Sequence, residues 1–299
     1  MKFAFGIFLA LLSVAGFAST FIFGAALTKS AHVSPEVLAF SRFVIAGLVM
    51  AIPLFASARE RARLRGMTRR DALAILWLGP VGTTVMAWCV FMGCARVSAA
   101  NASMADALTP IMVFLAAAVK TRRVHPFELV ALACGLVGAS FVIQIVTAHG
   151  LALEAYSTGD IYIMLAAATW GVYTAYGRET ITRLGSSLFT LLTMAVGAAL
   201  FGLCLPFLDL AWPTTPQAWG LVALLGLVST LMPFWTWNAA QKYLPMSVLG
   251  VSAYFTPVFA VGMAVVFLDE TVTPLQWLGT AFIALSGVIA VRYRTAAAA

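Results

Sequence analysis

Ten long apolar segments divide the chain, and they limit its fold more than any other feature of the sequence. Each segment holds about 21–26 residues and is bounded by glycine, proline, asparagine or clustered charges. An α-helix rises about 1.5 Å per residue, so a segment of this length can cross the roughly 30 Å of a bilayer's hydrocarbon core. The segments cover residues 3–28, 35–56, 72–95, 99–119, 126–147, 158–180, 186–209, 216–241, 246–268 and 273–293.

The composition is that of an integral membrane protein. Of the 299 residues, 62% are hydrophobic and 10% are charged, and the mean hydropathy is +0.98. Soluble proteins carry about 25% charged residues, so this chain has too few polar side chains to cover a water-exposed surface. The segments also lack the alternation of polar and apolar residues that marks strands of a membrane barrel. We therefore predict an all-α integral membrane protein.

The sequence carries no recognisable motif of catalysis. The four cysteines lie in apolar segments without CxxC spacing, and the three histidines have no second ligand at helical spacing. The HExxH, Walker A and GxGxxG patterns do not occur. We expect no cofactor, no metal, no enzymatic activity and no nucleic-acid partner.

The basic residues lie almost entirely on alternate loops, which gives the net charge of +7 a different meaning from nucleic-acid binding. With a cytoplasmic N-terminus, fifteen of the eighteen lysines and arginines lie on the inner side, and only Lys29 and Arg96 lie on outer loops. Membrane proteins concentrate such residues on the cytoplasmic side. We predict a multi-pass protein of a bacterial-type inner membrane with both termini in the cytoplasm.

The two halves of the chain resemble each other. With a shift of 147 residues, the stretch 78–119 aligns without gaps on 225–266 and gives nine identities. Roughly three or four identities are expected from composition alone, so the similarity indicates an internal repeat. The matched pairs include Trp88 with Trp235, Thr109 with Thr256 and Pro110 with Pro257.

Each half holds five apolar segments, which sets the relation between the halves. We predict two repeats, residues 1–149 and 150–299, and because five is odd the second repeat enters the membrane from the opposite face. Inverted repeats are typical of secondary transporters, whose substrates bind near the midplane between the repeats. Shared bias toward Ala, Leu and Val is the alternative, although it does not easily match Trp and Thr-Pro positions. We therefore predict a central cavity between the two repeats.

The matched Thr-Pro pairs lie near the middle of the membrane. Each proline removes a backbone donor, and the neighbouring threonine can satisfy part of the disturbed backbone. Kinks at matching places predict either a gate beside the cavity or a bend that serves packing alone. The candidate kink and gate residues are Gly24, Thr109, Pro110, Gly177, Thr256 and Pro257.

Two charged residues lie well inside apolar segments, several residues from either end. Arg42 and Asp106 each lie about seven residues from the outer face, a depth of roughly 10 Å, so the two side chains could form an ion pair. Arg42 could instead extend to the outer headgroups. Asp106 could hydrogen-bond to Asn101 and Ser103, or it could carry a proton during transport.

Aromatic residues are the candidates for the cavity wall. Trp170, Tyr173 and Gly177 share one helical face, and Trp88 and Trp235 are repeat mates that lie too deep to be interfacial anchors. Such a wall suits neutral, zwitterionic or amphipathic solutes, and cations through cation–π contact, whereas packing alone is the alternative for each ring. The candidate cavity residues are Phe17, Phe21, Trp88, Asn101, Trp170, Tyr173, Trp235, Asn238 and Tyr254.

The chain resembles the drug/metabolite transporter superfamily in its EamA-type ten-helix form. The resemblance rests on SPEVLAFSRFVIAGL (34–48), on GPVGTTVMAWCVFMGCARVSAANASMADALTPIMVFLAAAV (79–119) and on VSAYFTPVFAVGMAVVFLDETVTPLQWLGTAFIALSGVIAV (251–291). It implies that segments 1–4 and 6–9 surround the cavity and that segments 5 and 10 are peripheral. It also implies export of small metabolites, and the chain is most similar to the amino-acid exporters, including the aromatic-amino-acid branch.

These observations predict a secondary transporter that exports amino acids or similar small amphipathic metabolites by alternating access. Transport would be facilitative, or linked to one proton through Asp106. The alternative is a multidrug exporter of lipophilic cations with the same fold, driven by proton exchange. We expect a small-molecule substrate, a lipid bilayer environment and a monomer, with a homodimer left open.

Overall fold

The computed structural model shows a helical protein with the segment order that the sequence predicts. Most described residues within the ten apolar segments are helical, and this confirms the all-α membrane fold. Asn101, a predicted cavity residue, lies outside the described residues. The structure describes residues 2–97, 106–122, 124–142, 146–147, 150–151, 158–268 and 273–297.

The first half contains seven described helices. Two of them continue into π-helical turns, in which the backbone hydrogen bonds close a wider ring than in an α-helix. The elements are α1 (Lys2–Ala25) with a π turn at Ala26–Ser30, α2 (Pro35–Ala56), α3 (Ala58–Arg65), α4 (Arg69–Gly79) with a π turn at Pro80–Val85, α5 (Met86–Cys94), α6 (Thr109–Thr121) and α7 (Pro126–Val142).

The second half also contains seven described helices. They are α8 (Thr158–Leu184), α9 (Ser186–Cys204) with a 3₁₀ turn at Leu205–Phe207, α10 (Pro216–Gly226) with a π turn at Leu227–Leu231, α11 (Met232–Ala240), α12 (Met246–Ser252), α13 (Phe255–Leu268) and α14 (Pro274–Ala297).

Five continuous helical stretches are long and apolar enough to cross a membrane. Shorter apolar helices occupy the fourth, fifth, ninth and tenth segments. Many large apolar side chains on the outside of the bundle are exposed, for example Ile52 at 75% and Val119 at 71%, as lipid contact requires. The five long stretches are Lys2–Ser30, Pro35–Ala56, Arg69–Cys94, Ser186–Phe207 and Pro216–Ala240.

Two elements differ from the sequence prediction. The basic loop between the second and third segments contains the helix α3, which begins where the Ser57 hydroxyl accepts a hydrogen bond from the Glu60 amide. The fifth segment was predicted to be helical over 126–147, but Val146–Thr147 pairs antiparallel with Gly150–Leu151 as a two-residue β-ladder. Gly150 has a φ of 119°, and this turn conformation is open mainly to glycine.

The helices pack in a pattern that repeats between the halves. Helix α5 packs on α8 as α11 packs on α1, and α6 packs on α8 as α13 packs on α1. Helices α2 and α9 pack on each other, as do α7 and α14. The α7–α14 contact is close because Gly138 and Gly279 face each other there, and a side chain on either would meet the other's backbone carbonyl.

The helix irregularities also recur at the shift of 147 residues. The π turn at Leu227–Leu231 lies 147 positions after the one that begins at Pro80. In the first turn the Thr83 hydroxyl donates to the Gly79 carbonyl, and in the second the Thr230 hydroxyl donates to the Leu225 carbonyl at 2.8 Å. The two halves therefore share both a backbone distortion and the side chain that stabilises it.

Candidate functional site

A cavity lies between helices of the two halves and has about 570 Å³ of empty volume. Its lining comes from α1, α2, α5, α8, α11 and α13 and from the residues around the start of α6. The wall is mostly apolar, and its polar side chains are Arg42, Asp106, Thr20, Thr109 and Thr256.

One wall of the cavity is formed by an aromatic cluster, which we define as Phe17, Trp170, Tyr173, Phe234 and Trp237. The Trp170 ring lies 5.1 Å from Phe17 and 5.0 Å from Phe234, both edge to face, and stacks on Tyr173 at 5.2 Å. These are favourable aromatic geometries. Phe17, Trp170 and Trp237 face the cavity, whereas Tyr173 and Phe234 are fully buried behind them.

A buried hydrogen-bond network holds the aromatic cluster from behind. The Asn238 side-chain amide donates to the Tyr173 hydroxyl at 2.9 Å and to the Thr190 hydroxyl at 2.8 Å. The Trp237 indole N–H donates to the Thr174 hydroxyl at 3.0 Å. Asn238, predicted for the cavity wall, therefore lies behind that wall and orients Tyr173.

The structure does not bring the two repeat-mate tryptophans to the cavity. The Trp88 indole donates to Glu36 Oε1 at 3.0 Å, and its ring contacts Tyr162 edge to face. Trp235 is 41% exposed and donates to the Ser187 hydroxyl at 2.9 Å. The prediction that these rings line the cavity is wrong for this structure.

Helical rotation explains the displacement of both tryptophans. Successive residues of an α-helix are about 100° apart, so residues two apart point in nearly opposite directions. Met86, two residues before Trp88, and Trp237, two residues after Trp235, are the residues that face the cavity. The sequence placed the tryptophans at a suitable depth but did not determine which face of each helix was inward.

Tyr254 also lies away from the cavity, although it is fully buried. Its hydroxyl donates to the Leu132 carbonyl of α7 at 3.0 Å, and its ring fills the space beside Gly135. The prediction of a cavity role for Tyr254 is therefore wrong for this structure. Phe21 lies where it was predicted, on the cavity wall.

The Thr-Pro pairs lie at helix starts rather than within continuous helices. Pro110 lies in the first turn of α6 and Pro257 in the first turn of α13, and a turn precedes each helix. A proline in a first helical turn sacrifices no intrahelical hydrogen bond. Thr109 and Thr256 line the cavity. The structure thus has an interruption beside the cavity in each half, and a gating role remains a prediction.

The two predicted gate glycines lie where helices pack tightly. A side chain on Gly24 would press on Phe91 at 3.2 Å, and one on Gly177 would meet Phe189 at 2.9 Å. Both therefore allow close helix contact, and their part in gating also remains a prediction.

Arg42 is buried inside the protein, with 2% of its surface exposed. Its guanidinium carbon lies 4.7 Å from the Phe43 ring centre and 4.9 Å from that of Phe91, and Nη2 lies 4.0 Å from Met86 Sδ. Nε has no hydrogen-bond partner among the described residues. Arg42 thus does not extend to the headgroups, and its charge faces rings and a thioether.

Asp106 lines the same cavity but does not pair with Arg42. Its Oδ1 accepts a hydrogen bond from the Thr109 hydroxyl at 2.9 Å. The ion pairs formed by the described residues include neither Asp106 nor Arg42. The predicted pair is therefore not formed, since the two groups lie beyond ion-pair distance.

A second group of charged side chains joins α4, α6 and α8 beyond the aromatic cluster. We call this group the charged end, and its members are Arg70, Asp71, Lys120, Glu179 and Arg183. Arg183 Nη2 lies 2.6 Å from Asp71 Oδ1, and both Arg70 and Lys120 lie 3.0 Å from the Glu179 carboxylate. Glu179 follows Trp170 by nine residues, which places it roughly 13 Å further along α8. These contacts hold three helices together at one end of the bundle.

The described side chains offer no evident metal site. No group of three or more His, Cys, Asp or Glu side chains lies close enough to hold an ion in the described part of the chain. What the cavity can do is bind a small organic molecule that presents apolar surface to the aromatic cluster and charge to Arg42 and Asp106.

A cavity lined by membrane helices from both halves of a chain is typical of membrane transport proteins. The sequence profile of the EamA-like transporter family matches residues 4–144 and 157–292. The chain belongs to this family. It is a multi-pass membrane transporter, and its environment is the lipid bilayer.

Comparison with characterised and solved proteins agrees with this assignment. A protein of Streptantibioticus cattleyicolor named as a probable terminal-alkyne amino-acid exporter is 26% identical over 260 residues, covering 86% of this chain and 84% of the relative. The uncharacterized transporter YyaM of Bacillus subtilis is 24% identical over 278 residues, covering 88% of each chain. One crystal structure superposes with a TM-score of 0.77 at 21% identity, over 96% of this chain and 97% of the other, and supports the fold.

Proposed function

We propose that this transporter exports amino acids or similar small amphipathic metabolites. The observation that carries the proposal is the cavity itself, which combines one cationic side chain, one anionic side chain and an aromatic wall. An amino acid carries the complementary charges and, in many cases, an apolar side chain. The name of the Streptantibioticus relative, an amino-acid exporter, supports the same substrate class.

We propose that transport proceeds by alternating access between two inverted repeats, residues 1–149 and 150–299. The recurring π turns, the recurring helix starts at the Thr-Pro pairs and the matched helix contacts support this arrangement. The aromatic cluster and the charged end are suited to close one end of the path. The distribution of basic residues supports a bacterial-type inner membrane with cytoplasmic termini, so that this closed end is the cytoplasmic one. We expect the unit to be a monomer.

The driving force follows from the same cavity. Among the described residues the wall presents one carboxylate, Asp106, which supports transport that is either facilitative or linked to one proton. A rival function, export of lipophilic cations by proton exchange, is favoured by Asp106 and the aromatic cluster. It is disfavoured by Arg42, whose buried positive charge would repel a cation in the same cavity.

The test is uptake of labelled amino acids into proteoliposomes that contain the purified protein. The panel holds Trp, Phe, Met, Leu, Thr and Asp together with one lipophilic cation, and each is assayed with and without an imposed pH gradient. We expect uptake of the apolar amino acids, with protein-free vesicles as the control. Refusal of every amino acid, together with proton-dependent movement of the cation, would overturn the proposal in favour of the rival.

A further inference from the structure

We infer that Arg42 and Asp106 form the two charged contacts of a zwitterion site, in which Arg42 binds the substrate carboxylate and Asp106 binds the substrate ammonium group. This inference rests on the proposed function, since it assumes that the substrate is an amino acid. It assigns a separate role to each residue and a single orientation to the substrate within the cavity.

The surroundings of Arg42 call for an anionic partner. Arginine remains charged at any physiological pH, and a buried charge without a counter-ion is strongly destabilising. The rings of Phe43 and Phe91 offset part of this energy by cation–π contact and fix the guanidinium plane. Nε still lacks a hydrogen-bond partner, and no described carboxylate lies within ion-pair distance. The guanidinium borders the cavity, so the missing anion can arrive with the substrate.

Among the described residues, only Thr109 donates a hydrogen bond to Asp106. Its carboxylate takes one described hydrogen bond, from Thr109, whereas two carboxylate oxygens offer about four acceptor positions. The Thr109 contact holds the side chain against the start of α6, where it borders the cavity. A primary ammonium group has three donors and no acceptor, so it matches a carboxylate of this kind.

The arrangement fixes the orientation of the bound molecule. Arg42 comes from α2 and Asp106 from the residues before α6, and both line the cavity without forming an ion pair. A zwitterion can contact both because its carboxylate and ammonium are joined through one carbon. The remaining substituent then faces Phe17 and Trp170, which favours apolar side chains over charged ones. A simple amine or a simple acid satisfies only one of the two contacts.

The wild-type protein provides the first test, which needs no variant. Uptake of the best-transported amino acid of the panel is measured in the presence of that amino acid unlabelled, its decarboxylated amine, or its deaminated acid. For phenylalanine the two analogues are phenethylamine and 3-phenylpropionate. We expect each analogue to compete about 10- to 100-fold less well, because it lacks one charge-assisted contact. Equal competition by either analogue overturns the inference.

Exchange of single residues then assigns each contact. In Arg42→Gln, uptake should fall about 10- to 100-fold, and the amine should gain as a competitor relative to the amino acid. In Asp106→Asn, the acid should gain instead. Arg42→Lys keeps the charge and should restore part of the preference for carboxylates. A merely structural role would weaken all three competitors equally and would overturn the inference.

Arg178→Gln is the matched control. Arg178 is a partly buried arginine of the bundle. It donates a hydrogen bond to the Leu244 carbonyl at 3.1 Å, and it does not line the cavity. The competitor order should be unchanged in this variant. If the wild-type protein takes up no amino acid, the proposed function fails and the zwitterion site fails with it. If amino acids are taken up, but the amine does not gain as a competitor in Arg42→Gln and the acid does not gain in Asp106→Asn, the zwitterion site alone fails.

Discussion

The protein uses the same two residue types, arginine and aspartate, in two regions with opposite results. At the charged end, Arg183 lies 2.6 Å from Asp71, which also accepts hydrogen bonds from Thr68. At the cavity, Arg42 and Asp106 are separate, and Arg42 Nε has no partner among the described residues. The first set is complete within the folded chain, whereas we propose that the second is completed by a ligand.

The difference has a local cause. Thr68 and Asp71 form a capping box at the start of α4, so the Asp71 carboxylate is fixed by its own helix before Arg183 reaches it. Among the described residues, Asp106 accepts a hydrogen bond only from the Thr109 hydroxyl. Arg42 lies against the faces of the Phe43 and Phe91 rings, which are weaker acceptors than a carboxylate. Asp71 and Arg183 therefore stabilise the fold through their contact with each other. We expect the charge of Arg42, which lies against aromatic rings, to stay available for a substrate.

The largest effect we expect comes from breaking the set at the cavity. Arg42→Gln should reduce the initial rate of amino-acid uptake about 10- to 100-fold, because a charge-assisted contact to the substrate is lost. Arg183→Gln is the same exchange at the charged end, and its loss of uptake should be several-fold smaller than the loss in Arg42→Gln. Initial rates per reconstituted protein check both variants, and equal losses would contradict the distinction.

The next effect concerns stability and should appear at the other set. Asp71→Ala removes both the capping box and the ion pair, so it should lower the free energy of unfolding by about 2 kcal/mol. Asp106→Asn should change it little, because Asp106 has no ionic partner among the described residues. Thermal unfolding in detergent measures both. A comparable loss in Asp106→Asn would show that the cavity carboxylate is structural.

A smaller effect separates the two sets by coupling. In a double-mutant cycle on the ligand-free protein, Arg183→Gln and Asp71→Asn should show a coupling energy of about 1 kcal/mol. Arg42→Gln and Asp106→Asn should show a coupling near zero, since the two groups are not in contact. The same thermal assay serves here. Strong coupling between the cavity residues would mean that they pair in solution.

The smallest effect tests the two neighbouring tryptophans of α11. Trp235→Phe loses a hydrogen bond to Ser187 on the exposed face, so stability should change by less than about 0.5 kcal/mol and uptake should not change. Trp237→Phe loses the bond to Thr174 and part of the cavity wall, so uptake should fall. Reversed results would place the cavity on the other face of α11.

The sequence predicted the membrane fold well, because segment length and composition are enough to place helices in a bilayer. Their rarity within the membrane made Arg42 and Asp106 candidates, and both line the cavity together with Phe17, Phe21 and Trp170. A role of these residues in substrate binding stays a prediction. The short helix α3 was missed because its polar, arginine-rich sequence has no apolar face, even though Ser57 and Glu60 form a helix-start signal.

The predictions for Trp88 and Trp235 failed because their depth could be estimated from the sequence and the rotation of their helices could not. In an apolar helix no polar face shows which side is inward. Tyr254 lies instead in the turn between α12 and α13, where its side chain packs on α7. Trp237 and Phe234 were missed because the rotation of α11 was unknown. A usable signal was the buried Asn238, because the polar side chain identifies the inward-facing surface of α11 that Phe234 also shares.

The matched π turns at Pro80–Val85 and Leu227–Leu231 determine which side chains of α5 and α11 face the cavity. A π turn holds one residue more than an α-helical turn, and this extra residue rotates everything after it by about 100°. Met86 and Val90 follow the turn at Pro80–Val85, and Trp237 follows the turn at Leu227–Leu231. Deleting one residue from either turn would regularise the helix and carry these side chains away from the cavity. The transporter's wall is therefore encoded partly by the phase of two helices, and one inserted residue in each half sets that phase.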